Sequence, residues 1–383
     1  NNEKEYYFPP MKVFIQAAKR CSLVHGVYQI MSRGTSYSDL VSMAQTKGSF
    51  HDMSSMDGKH YNSTWSFRLK YFGTITDDTV ISQEDEKNNK RGDNKRFGYR
   101  TTRSVKKERE ALALLKDLFI PLGGNVDLKT PDVSILLFEG LGDGDEKILT
   151  RKVADGPKVS IINPNTRHCV TNTPLCPTTS YIMCNLGRIK SHSTILDPYA
   201  GSCSLLLASS LIESETTTVG IEIANENGIN RTNIMTDFYS RDLTPPKSLL
   251  CGDFRNETIR DMARESIGNV PFDVILTDPP YGIREKQEWT LSSSNYPWSL
   301  CHTNPLLDIV KIVAMDLERG KPLICLNGGG RLVVFVPCTS QQNIYDLLPA
   351  REQLSDAMLS LEVMVEQRLN DSLSRWLVVF ESK

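Results

Sequence analysis

The segment Asp273-Val274-Ile275-Leu276-Thr277-Asp278-Pro279-Pro280-Tyr281 combines an apolar run, a carboxylate, two prolines and an aromatic ring. The apolar run predicts a buried strand that delivers Asp278 to a sheet edge. Pro279 and Pro280 carry no backbone N–H, so the free groups of this turn are acceptors. Such a turn suits a primary amine on an aromatic base, whose lone pair is delocalised and which is therefore a poor nucleophile. If Asp278 and the carbonyl of Pro279 accept the two N–H bonds, the nitrogen becomes tetrahedral and its lone pair is aimed for attack. Tyr281 is placed to stack on the base. Asp278, Pro279, Pro280 and Tyr281 are the candidate catalytic residues.

A second constellation lies upstream in Ile195-Leu196-Asp197-Pro198-Tyr199-Ala200-Gly201-Ser202-Cys203. A strand ending in an acid, a tight turn of small residues and then a helix let a cofactor approach the backbone at the carboxyl edge of a sheet. The dinucleotide fingerprint needs three glycines and only Gly201 is present, which argues against a pyrophosphate. Asp197 would repel a phosphate and suits a cationic ligand, the methionine end of S-adenosylmethionine. Some twenty residues on, Val219-Gly220-Ile221-Glu222-Ile223 ends a further strand in Glu222, placed to accept from ribose hydroxyls. Leu249-Leu250-Cys251-Gly252-Asp253-Phe254 adds Asp253 for an adenine amino group and Phe254 to cover its ring. Singly, each acid reads as a solvated strand end; in series at strand termini they point to one crevice.

These residues need a scaffold. Short apolar, β-branched runs at Thr194 to Leu196, Thr218 to Ile223, Phe272 to Thr277 and Arg331 to Val336 predict parallel strands buried on both faces. Helical spacing separates them at Leu205 to Ile212, Glu257 to Ile267 and Pro305 to Leu317. Leu361 to Gln367 and Arg375 to Phe380 predict an antiparallel hairpin. The expected fold is therefore α/β, a doubly wound Rossmann-like sheet with a C-terminal hairpin. Before residue 160 the pattern is α+β: an apolar helical stretch over Val13 to Ile30, a strand from Trp65 to Tyr71, a helix from Glu108 to Phe119 and a strand from Val133 to Phe138. Asn163-Pro164-Asn165 reads as a linker.

The 383 residues, 39% hydrophobic, are enough for at least two cores. There is no apolar run of about 18 residues, so no membrane span is expected. The nine cysteines show no Cys-x-x-Cys pair or zinc-type clustering, which predicts reduced thiols, a cytoplasmic setting and no metal. The first residues, Asn1-Asn2-Glu3-Lys4, read as the interior of a longer chain. With a net charge of −2, any polyanion contact must rest on a local patch. Lys87 to Arg109 holds ten basic residues with Phe97 and Tyr99 among them, suited either to phosphate contact with base stacking or to a solvated insertion.

Asp-Pro-Pro-Tyr is shared by methyltransferases acting on adenine N6, cytosine N4 and guanine N2, so it leaves the base open. The longer string Thr277 to Glu285 resembles the catalytic subunit of the eukaryotic tRNA guanosine-10 N2-methyltransferase. Similar too are Asn172-Thr173-Pro174, Ser180 to Asn185, Asp197 to Ser202, Gly329 to Val333, and Glu366 to Leu369 with Ser374-Arg375. Upstream, Lys19-Arg20-Cys21, Gly124 to Lys129 and Arg151 to Gly156 extend the likeness over most of the chain.

That resemblance implies a class I methyltransferase domain over 165–383. It implies an S-adenosylmethionine site at Asn172, Thr173, Asp197, Pro198, Tyr199, Ala200, Gly201, Ser202, Glu222, Ile223, Asp253, Phe254 and Asp278. It further implies a partial ferredoxin-like piece over 1–60, a THUMP-type tRNA-binding region over 61–160, and a small zinc-binding activator subunit as partner. The family's Gly-x-Gly turn is here Gly201-Ser202-Cys203, so a side chain replaces a permissive glycine beside the donor. A DNA adenine-N6 methyltransferase and a catalytically silent RNA-binding subunit are the competing readings. The N-terminal matches argue against the first, and the second is favoured if Ser202 and Cys203 spoil donor binding.

Overall fold

The structure is a computed structural model and describes residues 10–46, 64–72, 101–102, 105–120, 125–141, 145–171, 174–224, 229–281 and 304–383. The chain divides into two compact units: residues 1–18 with 24–156, and 19–23 with 157–383. Asn163 to Asn165, read as a linker, lie inside the second unit, where Pro164–Thr166 forms a short 3-10 turn.

The first unit holds strands β1 (Gly26–Gly34), β2 (Trp65–Phe72), β3 (Thr101–Thr102), β4 (Val133–Glu139) and β5 (Lys147–Asp155), in the sheet order β1-β5-β4-β2-β3. Helices α1 (Met11–Arg20), α2 (Tyr37–Thr46), α3 (Val105–Leu114) and α4 (Lys116–Phe119) accompany it. Its core is Leu40, Phe67, Leu115, Ile135, Leu137 and Leu149 with their neighbours. The helix expected over Val13 to Ile30 ends at Arg20 instead. Gly26 opens β1, in which Val27, Tyr28 and Ile30 favour extended backbone and pair antiparallel with β5 from Gly26↔Asp155 to Gly34↔Lys147. Strands on either side of residue 60 thus share one sheet. Of the basic stretch Lys87 to Arg109, only the end that enters α3 has described side chains.

The second unit is built on β6 (Thr194–Asp197), β7 (Thr217–Glu222), β8 (Ser248–Cys251), β9 (Val274–Thr277), β10 (Arg331–Thr339), β11 (Leu359–Arg368) and β12 (Leu373–Ser382). Their order across the sheet is β11-β12-β10-β9-β6-β7-β8. β6 to β10 run parallel, and β12 lies antiparallel between β10 and β11. Successive residues of each strand enter opposite cores. Ile195, Val274, Leu276, Val333 and Phe335 face one cluster, while Leu196, Ile275, Leu332, Val334 and Val336 face the other. Burial on both faces is why these strands lack polar alternation.

Helices α5 (Pro177–Leu186), α6 (Ser204–Ile212), α7 (Arg231–Tyr239), α8 (Glu257–Ser266) and α9 (Pro305–Glu318) form the covering layers. Two short turns, α10 (Ile344–Leu347) and α11 (Arg351–Asp356), precede β11. α5 and α7 escape a periodicity reading because their apolar positions are few or spread around the helix. Asn230, Asn256 and Asn304 cap α7, α8 and α9 with side-chain oxygens on the first-turn N–H groups.

Candidate functional site

Asp197 ends β6, Glu222 ends β7, Asp253 follows β8 and Asp278 follows β9, so parallel strands bring all four acids to one sheet edge. Asp197 and Asp278 stand on the adjacent pair β6 and β9. The hydroxyl of Thr277 donates to Asp197 Oδ1 at 2.9 Å, joining the two chemical motifs directly.

Asp197 is 2% exposed. Burial pushes its carboxyl up to about 7, partly offset by hydrogen bonds from Thr277 and the backbone of Tyr199, with Glu222 and Asp278 adding to the rise. Glu222 accepts the N–H of Gly201 at 2.8 Å on one oxygen and that of Ala224 at 2.9 Å on the other. Among the described residues no lysine, arginine or histidine pairs with Asp197 or Glu222. A buried carboxylate with no counter-ion is costly unless a cation joins it.

The loop between β6 and α6 bends through two left-handed residues, Gly201 at φ +49° and Cys203 at φ +60°. A Cβ on Gly201 would meet nothing nearer than Thr171 Cγ2 at 3.8 Å, so open space lies over the loop. A narrow crevice lined by Gly220, Glu222 and Leu249 adjoins it. Pro198 and Ala200 are buried in the turn, and Ser202 is 3% exposed. Cys203 stands where the resemblance expects glycine. Its side chain is 1% exposed and joins the apolar core, so the departure appears as backbone strain of about 1–2 kcal/mol.

Asn172 and Thr173 lie outside the described residues, but Thr171 just before them is the nearest side chain to Gly201. Ile223 is 57% exposed beside Glu222. Asp253 is held by its own neighbour, with Arg255 Nε 2.9 Å from both oxygens. Phe254, expected over an adenine ring, is 2% exposed and packed in the core, with its ring 6.2 Å from that of Tyr199. The structure therefore shows Phe254 as support for the loop, not as an open platform.

Asp278 accepts the hydroxyl of Tyr281 at 2.6 Å. Arg375 on β12 reaches both, with Nη1 3.5 Å from Asp278 Oδ2 and 3.3 Å from the Tyr281 oxygen. Its guanidinium lies 4.1 Å from the centre of the Phe335 ring, and Nε donates to Gln367 at 2.7 Å. Burial raises the Asp278 carboxyl, while Tyr281 and Arg375 draw it back down. Gly282 to Glu285 lie outside the described residues.

The motif reading missed two contributors. Arg375 appeared only as part of the closing string Ser374-Arg375, with no sign that it meets Asp278. Arg167 gave no signal at all. It is buried against Asp237, and it donates to Ser204 Oγ at 2.6 Å and to the carbonyl of Ser202.

The sheet order, the acids at its carboxyl edge and the glycine turn after β6 form the Rossmann-like arrangement expected of a class I methyltransferase domain. Comparison with known proteins agrees. The family model for the RMKL-like methyltransferase domain matches residues 164–297. In sequence the chain is similar to the tRNA (guanine(10)-N(2))-methyltransferase TRMT11 of Gallus gallus, at 25% identity over 299 residues covering 69% of this chain and 60% of the relative. The Homo sapiens protein of the same name is 26% identical over 69% of this chain and 61% of its own. The match thus takes in about 60% of the length of these curated relatives. The solved TrmN from Thermus thermophilus aligns over 99% of this chain and 88% of its own at 14% identity, with a TM-score of 0.41, too low to bear on function.

Proposed function

We propose that the chain transfers a methyl group from S-adenosylmethionine to the exocyclic N2 amine of a guanosine in tRNA, at the position for which its curated relatives are named. The observation that carries this reading is the Thr277–Asp197 hydrogen bond, which couples the amine-holding turn to the donor loop on adjacent strands.

The residues fit the donor. Asp197 offers a buried anion to its cationic methionine end, Glu222 retains lone pairs for ribose hydroxyls, and the space over Gly201 admits it against the backbone. The donor supplies an electrophilic methyl group on sulfur. Asp278 and the Pro279 carbonyl accept the N–H bonds of the amine and stabilise the positive charge that builds on nitrogen. The proton need leave only as the methyl bond forms, so water can take it and Asp278 need not be a strong base. Tyr281 supports the base by stacking once its hydroxyl leaves Asp278. A guanine within a helix must be flipped out to reach this edge.

In this reading the first unit is the THUMP-type tRNA-binding region with its preceding ferredoxin-like piece. A small zinc-binding activator covers an edge of the catalytic sheet, and the protein works in the cytoplasm. Among the described residues no helix is long and apolar enough to cross a membrane. Radiolabelled methyl transfer to unmodified tRNA, with the activator present, tests the assignment. Label is expected on the parent tRNA and lost when guanosine 10 is replaced; label that persists on the replaced tRNA removes the position. A parent chain that fails to bind S-adenosylmethionine would favour the silent-subunit reading.

The raised Asp197 carboxyl predicts a pH dependence. A folded value of about 7 against the ordinary 3.8 means that protonated Asp197 favours the free fold below pH 4, an advantage lost as pH rises through 7. A cationic donor needs the ionised form, so donor binding should tighten roughly eightfold from pH 6 to 7.5. Calorimetry across that range checks this, and Asp197→Asn should abolish the slope. An equal slope in that variant would place the titrating group elsewhere.

A further inference from the structure

We infer that Arg167 is a positioning residue that holds the methyl-donor loop in its binding shape, an inference resting on the S-adenosylmethionine reading above. The loop's middle residue, Ser202, lies between two left-handed residues, Gly201 and Cys203. Only the first is glycine, so nothing intrinsic to Cys203 favours the bend. Arg167 supplies what the missing glycine does not. One of its terminal nitrogens donates to the Ser202 carbonyl; the other donates to Ser204 Oγ at 2.6 Å and lies 3.4 Å from Ser202 Oγ. These contacts orient the peptide joining Ser202 to Cys203, whose N–H closes the turn onto the Ala200 carbonyl at 2.7 Å. Gly201 N–H then points to Glu222, at 2.8 Å.

The clamp is itself anchored. Arg167 Nε donates to Asp237 at 3.2 Å, and the two side chains are 2% and 0% exposed. Asp237 also accepts the N–H groups of His168 and Cys169, at 2.7 and 3.2 Å, and a contact from Arg241 at 3.4 Å. Arg241 ties down the approach to Arg167 through the carbonyls of Ile161 and Thr166, both at 2.8 Å. The planar fork of arginine reaches Asp237, Ser202 and Ser204 together; a lysine ammonium keeps the charge toward Asp237 but cannot span all three.

The test measures S-adenosylmethionine binding by calorimetry and folding by thermal melting for the full chain, R167K, C203G and the double variant R167K/C203G. R167K keeps Asp237 paired and is expected to fold and to bind the donor about tenfold more weakly. In the C203G background R167K should cost much less than tenfold, because glycine takes the left-handed bend without a clamp. A merely structural role for Arg167 predicts no such rescue, since C203G leaves Asp237 and its partners untouched. If R167K does not fold, S204A, which removes one contact of the fork, is used in the same cycle with the same expected loss and rescue. Donor binding by R167K within twofold of the parent, or a loss that C203G leaves unchanged, overturns the inference. Absence of binding by the parent chain itself would overturn the donor reading first and this inference with it.

Discussion

Replacing Asp278 with alanine is expected to lower turnover by about 100- to 1,000-fold while leaving S-adenosylmethionine affinity within about twofold of the parent. In the proposed reaction the carboxylate accepts from the amine together with the Pro279 carbonyl, in a turn where Pro279 and Pro280 offer no competing N–H. Its role falls in the transition state, where the nitrogen gains charge. Little of that interaction exists when the donor binds, so the effect belongs in kcat. The substitution also leaves the buried Arg375 without its carboxylate partner, although Phe335 and Gln367 still hold its guanidinium. Asp278→Asn keeps the shape and separates the two contributions: it retains an acceptor for Tyr281 but removes the charge. Initial rates of methyl transfer and calorimetric affinities distinguish the outcomes. Matched losses of affinity and turnover would show that Asp278 mainly builds the donor pocket.

The largest expected effect on stability comes from Asp316→Ala. Asp316 on α9 is 1% exposed and accepts Arg260 Nε at 2.8 Å, Arg260 Nη2 at 2.9 Å and Arg264 Nη1 at 3.0 Å. Arg260 and Arg264 on α8 are themselves 1% and 4% exposed. Removing the shared carboxylate leaves the Arg260 guanidinium in the interior without a carboxylate, while Arg264 keeps Asp261; breaking such a buried pair costs about 3–5 kcal/mol. For a unit of this size the melting temperature should fall by roughly 10 °C. The damage reaches the site, because Arg260 Nη1 also donates to the carbonyls of Phe254 and Arg255, at 3.0 and 2.8 Å, beside Asp253. Donor affinity should weaken with stability. Replacing Arg260, Arg264 and Asp316 together with apolar residues of similar volume should be far milder, since no charge is then left unpaired. An Asp316→Ala protein that melts within 2 °C of the parent would contradict a buried network.

Both expectations turn on what a linear reading reveals. The strands from Thr194, Thr217, Val274 and Arg331 were legible because a strand buried on both faces needs an unbroken apolar run. The helix expected through Ile30 went wrong because Val24 to Ile30 is apolar enough for either element. Its pairing with Lys147 to Asp155, more than a hundred residues away, settles it as a strand. Phe254 reads as an aromatic placed to cover an adenine ring, yet it is buried beside Tyr199, and no local spacing distinguishes those fates.

The sequence by itself determined the strand runs, the acids that end them, the proline turn after Asp278 and the substitution of cysteine for glycine after Ser202. These depend on residues adjacent in the chain, and local sterics and burial act over that range. Only the tertiary structure decided that Arg375 meets Asp278 and Tyr281, that Thr277 bonds Asp197, and that Arg167 clamps the donor loop. Those contacts join residues 97, 80 and 35 positions apart. They follow from β12 inserting beside β10, β9 lying against β6, and α7 presenting a buried carboxylate, and the order of strands across a sheet is not written in the spacing along any one of them.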